Sequence, residues 1–282
     1  MVSVDSVQVY RGMDIGSAKP DPALRARLPH HLIDLRPPTE PYSAADFVND
    51  ARQAIAMIRG RGRIPLLAGG TMLYFRALAG GLSPLPAADP AVRAELEAQA
   101  VAHGWPALHR RLAALDPAAA GRIHPHDAQR IARALEVCQL TGRPFSSQWH
   151  AAPAAILPAV RRFALLPAER SVLHRAIAER FSAMLDAGLL DEVRDLMRRH
   201  ALHSGLPAMR AVGYRQVFAY LQGRYERAEM VARAVAATRQ YAKRQMTWLR
   251  GERGWIWYAL PVKDAAASII QALSPDSREL MQ

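Results

Sequence analysis

Short apolar runs alternate along this chain with longer stretches whose apolar residues recur at helical spacing. Val2–Val4 is predicted to be the end of a buried strand, and Ile64–Ala68 and Val160–Leu166 are predicted to be further strands. Leu32–Asp34 and Trp255–Tyr258 are predicted to be shorter ones. Strands that alternate with helices are typical of a parallel sheet covered by helices. The pattern therefore predicts an α/β fold.

The helical stretches carry recognisable start and stop signals. Ser43, followed three residues later by Asp46, resembles a capping box, and an apolar stripe then continues to Gly60. Two more helices are predicted at Leu173–Met184 and Tyr225–Arg250.

Residues 83–149 differ from their surroundings. A proline-rich exit (Pro84, Pro86, Pro90) is followed by segments of helical periodicity at Ala91–His103, Pro106–Leu115 and Asp127–Leu140. We therefore predict a core of residues 1–82 and 150–282 that is interrupted by a helical insertion of residues 83–149. The tail after Ser274 is predicted to be poorly ordered.

Composition indicates the kind of binding partner and the cellular compartment. The formal net charge of +12 favours an anionic partner such as nucleic acid, although arginine-rich usage alone can raise the charge. Cys138 is the single cysteine, which fits a reducing cytoplasm. We expect neither a signal peptide nor a membrane span, because no suitably long apolar run occurs.

The first loop carries the clearest candidate chemistry. Residues 5–20 read DSVQVYRGMDIGSAKP, with Asp5 at the carboxyl end of a strand, where open α/β sheets place their ligands. This stretch resembles the signature of tRNA dimethylallyltransferases (isopentenyltransferases), which transfer a five-carbon prenyl group from a diphosphate to the adenosine 3′ of the anticodon. The resemblance implies a core like that of P-loop NTPases and tRNA contacts by Asp5, Ser6, Val7 and Gln8.

Five further stretches are similar to the same family. GGTMLY at 69–74 makes Thr71 a tRNA contact near the reacting adenosine, and Arg93 matches a contact in the insertion. Arg180 matches an arginine that faces the diphosphate, although Ala176 replaces the first arginine of that pattern. DAQRIARALEV (127–137), MRAVGYRQ (209–216) and TRQYAKRQMTWLR (238–250) imply contacts by Gln129, Arg130, Ile131, Ala132, Arg133, Arg210, Gly213, Tyr214, Arg215, Lys243, Arg244, Gln245 and Arg250. Charge alone leaves a solvated basic face as the alternative.

The chemistry of prenyl transfer assigns roles to three of these residues. An adenine amine is a weak nucleophile and needs an acceptor for its proton, for which Asp5 is the candidate. Arg180 and Mg²⁺ would meet the charge of the departing diphosphate, with Thr71 beside the reacting base. We expect the magnesium to be held through phosphates and water, and we propose no metal ligands from the protein. The partners would be a tRNA anticodon stem-loop and dimethylallyl diphosphate, and the protein a monomer.

The sequence departs from the family at its start. Relatives begin with a strand and a phosphate loop of the form GPTASGKT, and this motif does not occur here. We expect that the start was assigned too late or the chain shortened, with a naturally degenerate version as the alternative. Two other functions stay open: a tRNA-binding protein without catalysis, and a phosphotransferase related to nucleotide kinases.

Overall fold

The computed structural model describes residues 1–83, 85–149, 160–260 and 265–273. Its strands are β1 (Val2–Val4), β2 (Leu67–Gly69), β3 (Arg162–Pro167) and β4 (Trp255–Leu260). Its helices are α1 (Pro22–Arg27), α2 (Ala44–Gly60), α3 (Met72–Gly80), α4 (Pro90–His103), α5 (Trp105–Leu115), α6 (Pro117–Ala120), α7 (Ala128–Thr141), α8 (Arg170–Asp186), α9 (Leu189–Arg199), α10 (Tyr214–Leu221), α11 (Arg227–Gly251) and α12 (Ala265–Leu273). The tail after Ser274 and the linker residue Pro84 lie outside the described residues.

The contacts divide the chain into two compact units. The first unit is Met1–Phe75 with Ala159–Gln282, and the second is Arg76–Pro158. The boundaries predicted after residues 82 and 149 stay a prediction. None of the described helices combines the length and the apolar character that crossing a membrane requires.

The first unit contains two parallel strand pairs. β1 pairs with β2, and β3 pairs with β4 in register from Arg162 opposite Trp255 to Pro167 opposite Leu260. Helix α2 packs on β1, and α8 packs on β3 and on α11. The α/β class is therefore confirmed, although the described strands form two separate sheets.

Helix α2 begins where the capping box predicts. The Ser43 hydroxyl accepts the amide of Asp46, and the Asp46 carboxylate accepts the amide of Ser43. Its apolar face is buried, with Phe47 stacked on Tyr74 at 4.3 Å between ring centroids. Such a reciprocal cap satisfies amides that would otherwise lack partners at the start of the helix.

Two strand predictions need correction. Leu32–Asp34 forms no strand, because Leu32 (φ 66°) and Asp34 (φ 57°) adopt the left-handed conformation and turn the chain. Ile64–Ala68 is not a buried strand either. The strand observed here is Leu67–Gly69, and among the described residues it pairs with β1. Ile64 is 71% exposed. An apolar run is buried only when both faces of its strand are covered, which sequence does not reveal.

The second unit is helical, and its helices lie near the predicted positions. α4, α5, α6 and α7 pack on one another around an apolar core. Its buried residues are Leu96, Leu108, Leu112, Ala119, Ala120, Ile123, Ile131, Ala134 and Leu135. Gly142 ends α7 in the left-handed conformation, as its position after the last turn predicts. The short helix α6 was not predicted, and neither were α1, α9, α10 and α12 of the first unit.

Candidate active site and nucleic-acid surface

The chain turns sharply at the carboxyl end of β1, around the side chain of Asp5. Its Oδ1 atom accepts the amides of Val7 (2.7 Å) and Gln8 (3.2 Å), which makes a compact aspartate turn. Asp5 is half-buried. The two amides hold the carboxylate at the edge of the sheet.

Thr71 is brought to the same edge by the strand next to β1. Its Oγ1 accepts the amide of Ser6 at 3.0 Å and donates to the Ser6 hydroxyl at 3.3 Å, while its own amide donates to the Val4 carbonyl. Gly69 permits this approach, because a Cβ atom there would lie 2.2 Å from the carbonyl oxygen of Val4. The structure therefore brings Asp5, Ser6 and Thr71 together.

Helix α11 joins this cluster from the far end of the chain. The Tyr241 hydroxyl (3.1 Å) and the Gln245 side-chain amide (2.8 Å) both donate to the carbonyl oxygen of Gly70. Burial first, and then the negative charge of Asp5, raise the pKa of Tyr241. Sequence reasoning did not select Tyr241. Its spacing of four residues from Gln245 was the available signal, because such residues share a helix face.

Gln8 connects the Asp5 turn to the loop that follows. Its Oε1 accepts the Ser3 hydroxyl at 2.8 Å, and its Nε2 donates to the carbonyls of Ser17 (3.4 Å) and Ala18 (3.3 Å). Ala18 lines a cleft of about 490 Å³. The predicted tRNA contact at Gln8 thus also fixes the chain beside this cleft.

Arg180 lies in the wall of that cleft, where α8 faces the loop. The cleft is lined by Asp14, Ile15, Ala18, Lys19, Pro20, Asp21, Pro22, Arg25, Arg180, Ala183, Met184 and Ala187. Arg180 is exposed, so its guanidinium is available to an anion. Arg25 supplies a second guanidinium to the lining.

A buried lysine stabilises the loop through three contacts. The Lys19 side chain is 1% exposed, and its Nζ donates to Asp14 (2.5 Å), Asp34 (2.6 Å) and the carbonyl of Tyr10 (2.8 Å). Arg25 pairs with the other oxygen of Asp34 at 2.7 Å. Burial alone would raise the pKa of Asp34, but hydrogen bonds from Lys19 and Arg25 outweigh it and lower that pKa.

The MRAVGYRQ stretch divides into buried and exposed residues. Gly213 (φ 89°) and Tyr214 are buried, and the Tyr214 hydroxyl donates to Glu192 at 2.6 Å. Arg210 and Arg215 are exposed. In the described structure the two arginines are therefore accessible to RNA, whereas the ring of Tyr214 is not.

In the second unit, two arginines that are predicted tRNA contacts bind the same buried carboxylate. Glu136 is fully buried, and it accepts Nε of Arg93 (2.8 Å), Nη1 of Arg133 (2.6 Å) and the amide of Asp89 (2.9 Å). Arg133 also donates to the carbonyl of Pro86 at 2.7 Å. Both guanidiniums are thus held in defined orientations.

The remaining predicted contacts on α7 differ in exposure. Gln129 and Arg130 are exposed, Ala132 is half-buried, and Ile131 is buried in the helical core. A contact by Ile131 could therefore use only its backbone in this conformation.

A basic strip continues along the last turns of α11. Lys243, Arg244 and Arg250 are exposed, and the Arg244 guanidinium lies over the ring of Tyr241 at 5.8 Å from its centroid. The strip therefore adjoins the residues that hold Gly70 and Thr71.

No metal centre built from protein side chains is evident in the part of the chain that the structure describes, where no group of three or more histidine, cysteine or acidic residues is suitably placed.

Fold and site together define an α/β protein with a polar cluster at the carboxyl edge of a parallel strand pair and an arginine-rich helix beside it. Residues 8–252 match the family model described as IPP transferase, so the chain belongs to the IPP transferase family. It is 59% identical to a tRNA dimethylallyltransferase from Thiobacillus denitrificans over 254 residues, which are 90% of this chain and 81% of that protein. A tRNA dimethylallyltransferase from Alkalilimnicola ehrlichii is 60% identical over 254 residues, 90% of this chain and 80% of that protein.

Solved structures agree with this assignment. The full-length tRNA isopentenylpyrophosphate transferase from Bacillus halodurans superposes with a TM-score of 0.65 at 37% identity, covering 96% of this chain and 84% of that one. A eukaryotic dimethylallyltransferase described as acting on tRNA gives a TM-score of 0.73 at 23% identity, covering 99% and 72%. The second likeness extends the shared fold to a distant sequence.

Proposed function

We propose that this chain transfers a dimethylallyl group from dimethylallyl diphosphate to the exocyclic N6 amine of the adenosine 3′ of the anticodon, in tRNAs that read codons beginning with U. Membership of the family and the names of its relatives support this reaction. The observation that carries the proposal is the convergence of Asp5, Ser6 and Thr71 at one sheet edge, beside Tyr241 and Gln245 of α11.

Asp5 is the proton acceptor in this proposal. The amine lone pair is delocalised into the ring, so its proton must leave as the new N–C bond forms. The allylic C–O bond breaks, the diphosphate departs with that electron pair, and the N6 proton passes to the Asp5 carboxylate. The aspartate turn at Val7 and Gln8 orients the carboxylate before the substrate arrives.

Arg180 and Arg25 in the cleft wall would meet the departing diphosphate. Magnesium prefers oxygen ligands and usually reaches a protein through substrate phosphates and one or two carboxylates. Asp14 and Asp21 line the cleft, but Asp14 is paired with Lys19 and Asp21 caps α1, so the ion would be held mainly by the phosphates and water. When bound, the ion would neutralise part of the diphosphate charge.

The basic strip of α11 and the arginines of the second unit would hold the anticodon stem-loop through its phosphates. A purine must leave its stack to reach Asp5, which in an already unpaired loop costs only a few kcal/mol. The enzyme would act as a monomer in the cytoplasm, for which the single cysteine is suited.

Asp5→Asn tests the proposal directly. Asparagine keeps the oxygen that accepts the two amides, so the turn survives, but it removes the proton acceptor. We expect the rate of transfer to fall by about 10²–10⁴-fold with the affinity for an anticodon stem-loop unchanged. Asp186→Asn makes the same chemical change at an exposed position and should leave the rate unaffected.

Retention of the wild-type rate in Asp5→Asn would remove Asp5 from the role of base. If the wild-type protein binds the stem-loop but yields no prenylated adenosine by mass spectrometry, the non-catalytic binding function replaces this proposal.

A further inference from the structure

Glu192, which lies outside the predicted site, accepts hydrogen bonds from two distant parts of the first unit. Oε2 of Glu192 accepts the amides of Asp14 (3.0 Å) and Ile15 (2.7 Å). Oε1 accepts the Tyr214 hydroxyl at 2.6 Å and the Gly16 amide at 3.4 Å. Hydrogen bonds to an ionised acceptor are about twice as strong as neutral ones, so this carboxylate is a firm anchor.

Two of these donors belong to residues that line the cleft with Arg180. Asp14, Ile15 and Ala18 all line it, and the segment that contains them has no regular secondary structure of its own. Its shape therefore depends on its anchors. Tyr214, fully buried, packs so closely under Gly16 that a Cβ atom there would lie 2.6 Å from the ring.

The anchor also reaches the Asp5 turn through the same segment. Asp14 pairs with Lys19, and the carbonyl of Ala18 accepts Nε2 of Gln8. A shift of residues 14–16 would thus move the cleft wall, whereas the Asp5 turn keeps its own hydrogen bonds from the amides of Val7 and Gln8.

We propose that Glu192, with Tyr214, is a positioning residue that sets the shape of the donor cleft. The inference rests on the proposed function, because it takes this cleft as the place of the prenyl diphosphate. Glu192 does not touch substrate. It acts through the backbone of Asp14, Ile15 and Gly16.

Glu192→Gln is the direct test, because glutamine keeps the side-chain shape but turns one acceptor oxygen into an NH₂ donor. We expect the KM for dimethylallyl diphosphate to rise by at least about tenfold, the factor that corresponds to losing one charge-assisted hydrogen bond. The kcat and the Kd for the anticodon stem-loop should stay within about twofold. Hydrogen exchange at the amides of Asp14 and Ile15 should accelerate by a similar tenfold factor.

Two other variants complete the experiment. Tyr214→Phe removes only one donor and should raise KM by less than Glu192→Gln. If Glu192→Gln loses helix content by circular dichroism, Tyr214→Phe tests the proposal in its place. Glu229→Gln, at an exposed glutamate that pairs with Arg233 on α11, should change none of these quantities.

An unchanged KM in Glu192→Gln, or exchange at residues 14–15 as slow as in the wild type, overturns the proposal. Failure of the proposed function would look different. The wild-type protein would then yield no prenylated RNA, while direct binding of dimethylallyl diphosphate and the exchange rates would still report whether Glu192 shapes the cleft.

Discussion

The buried carboxylate of Glu136 permits a quantitative prediction for the helical unit. In Glu136→Gln, one oxygen still accepts a hydrogen bond, but the other becomes an NH₂ group that faces a guanidinium. Arg133 lies 2.6 Å from Oε2, and Nη2 of Arg93 lies 3.2 Å from the same oxygen. At least one arginine must therefore lose its partner.

The expected cost follows from the strength and exposure of these contacts. Hydrogen bonds to charged groups contribute about 1.5–3 kcal/mol each, and stranding a buried charge costs about 3–5 kcal/mol. The side chains of Arg93 and Arg133 are 49% and 28% exposed, so water can partly replace the lost partner. We therefore expect Glu136→Gln to lower the free energy of unfolding of α7 by about 2–3 kcal/mol.

The loss should depend on pH with a definite sign. Burial alone would raise the pKa of Glu136, but hydrogen bonds from Arg93 and Arg133 outweigh it and lower that pKa. A carboxyl of this kind stabilises the fold fully above its unfolded pKa of about 4.3, and loses that contribution as the pH falls through its lower folded pKa. The difference in the free energy of unfolding between wild type and variant should be fully present at neutral pH and should disappear in acid.

Hydrogen exchange at the amides of α7 measures this free energy locally. Glu97→Gln, at an exposed glutamate of α4, is the matched control and should change the value by less than about 0.5 kcal/mol. A loss in Glu136→Gln no larger than that of the control would refute the reasoning. A difference that persisted unchanged in strong acid would assign the effect to packing instead of charge.

Two further predictions concern the sheet edge and the RNA surface. Gly69→Ala should cost about 3 kcal/mol or more in urea unfolding, because its Cβ would lie 2.2 Å from the backbone oxygen of Val4. Gly70→Ala should cost only about 1 kcal/mol, because its Cβ meets the movable tip of Gln245, and equal losses would contradict the pairing of β1 with β2. Arg130→Ala should weaken stem-loop binding and reduce the slope of log K against log salt by about 0.7–0.9. Arg110→Ala, at another exposed arginine of the second unit, controls for net charge, and an unchanged slope in Arg130→Ala would exclude Arg130 from the RNA surface.

Local patterns were sufficient for the helices with clear periodicity and for the ends of the strands. Ser43 and Asp46 interact three residues apart, and the apolar stripe of α2 depends only on helical periodicity. The position of Asp5 at the end of β1 likewise follows from the neighbouring residues and from the topology of parallel strands. The family signatures added the candidate site residues, whose roles remain predictions.

Burial and turning were harder to infer. The apolar run that begins at Ile64 looks buried by composition, yet Ile64 is exposed because burial depends on what covers a strand. Leu32–Asp34 looks extended, but Asp34 turns the chain where Lys19 and Arg25 bind its carboxylate.

Sequence alone thus determined the class of fold, the helices with strong local signals and the polar turn at Asp5, because these depend on residues a few positions apart. Only the tertiary structure decided which side chains support that turn and its cleft. Tyr241 meets Gly70 across 171 positions, and Glu192 meets Ile15 across 177. Such pairings form when packed helices and strands bring distant residues together, and no local pattern specifies them.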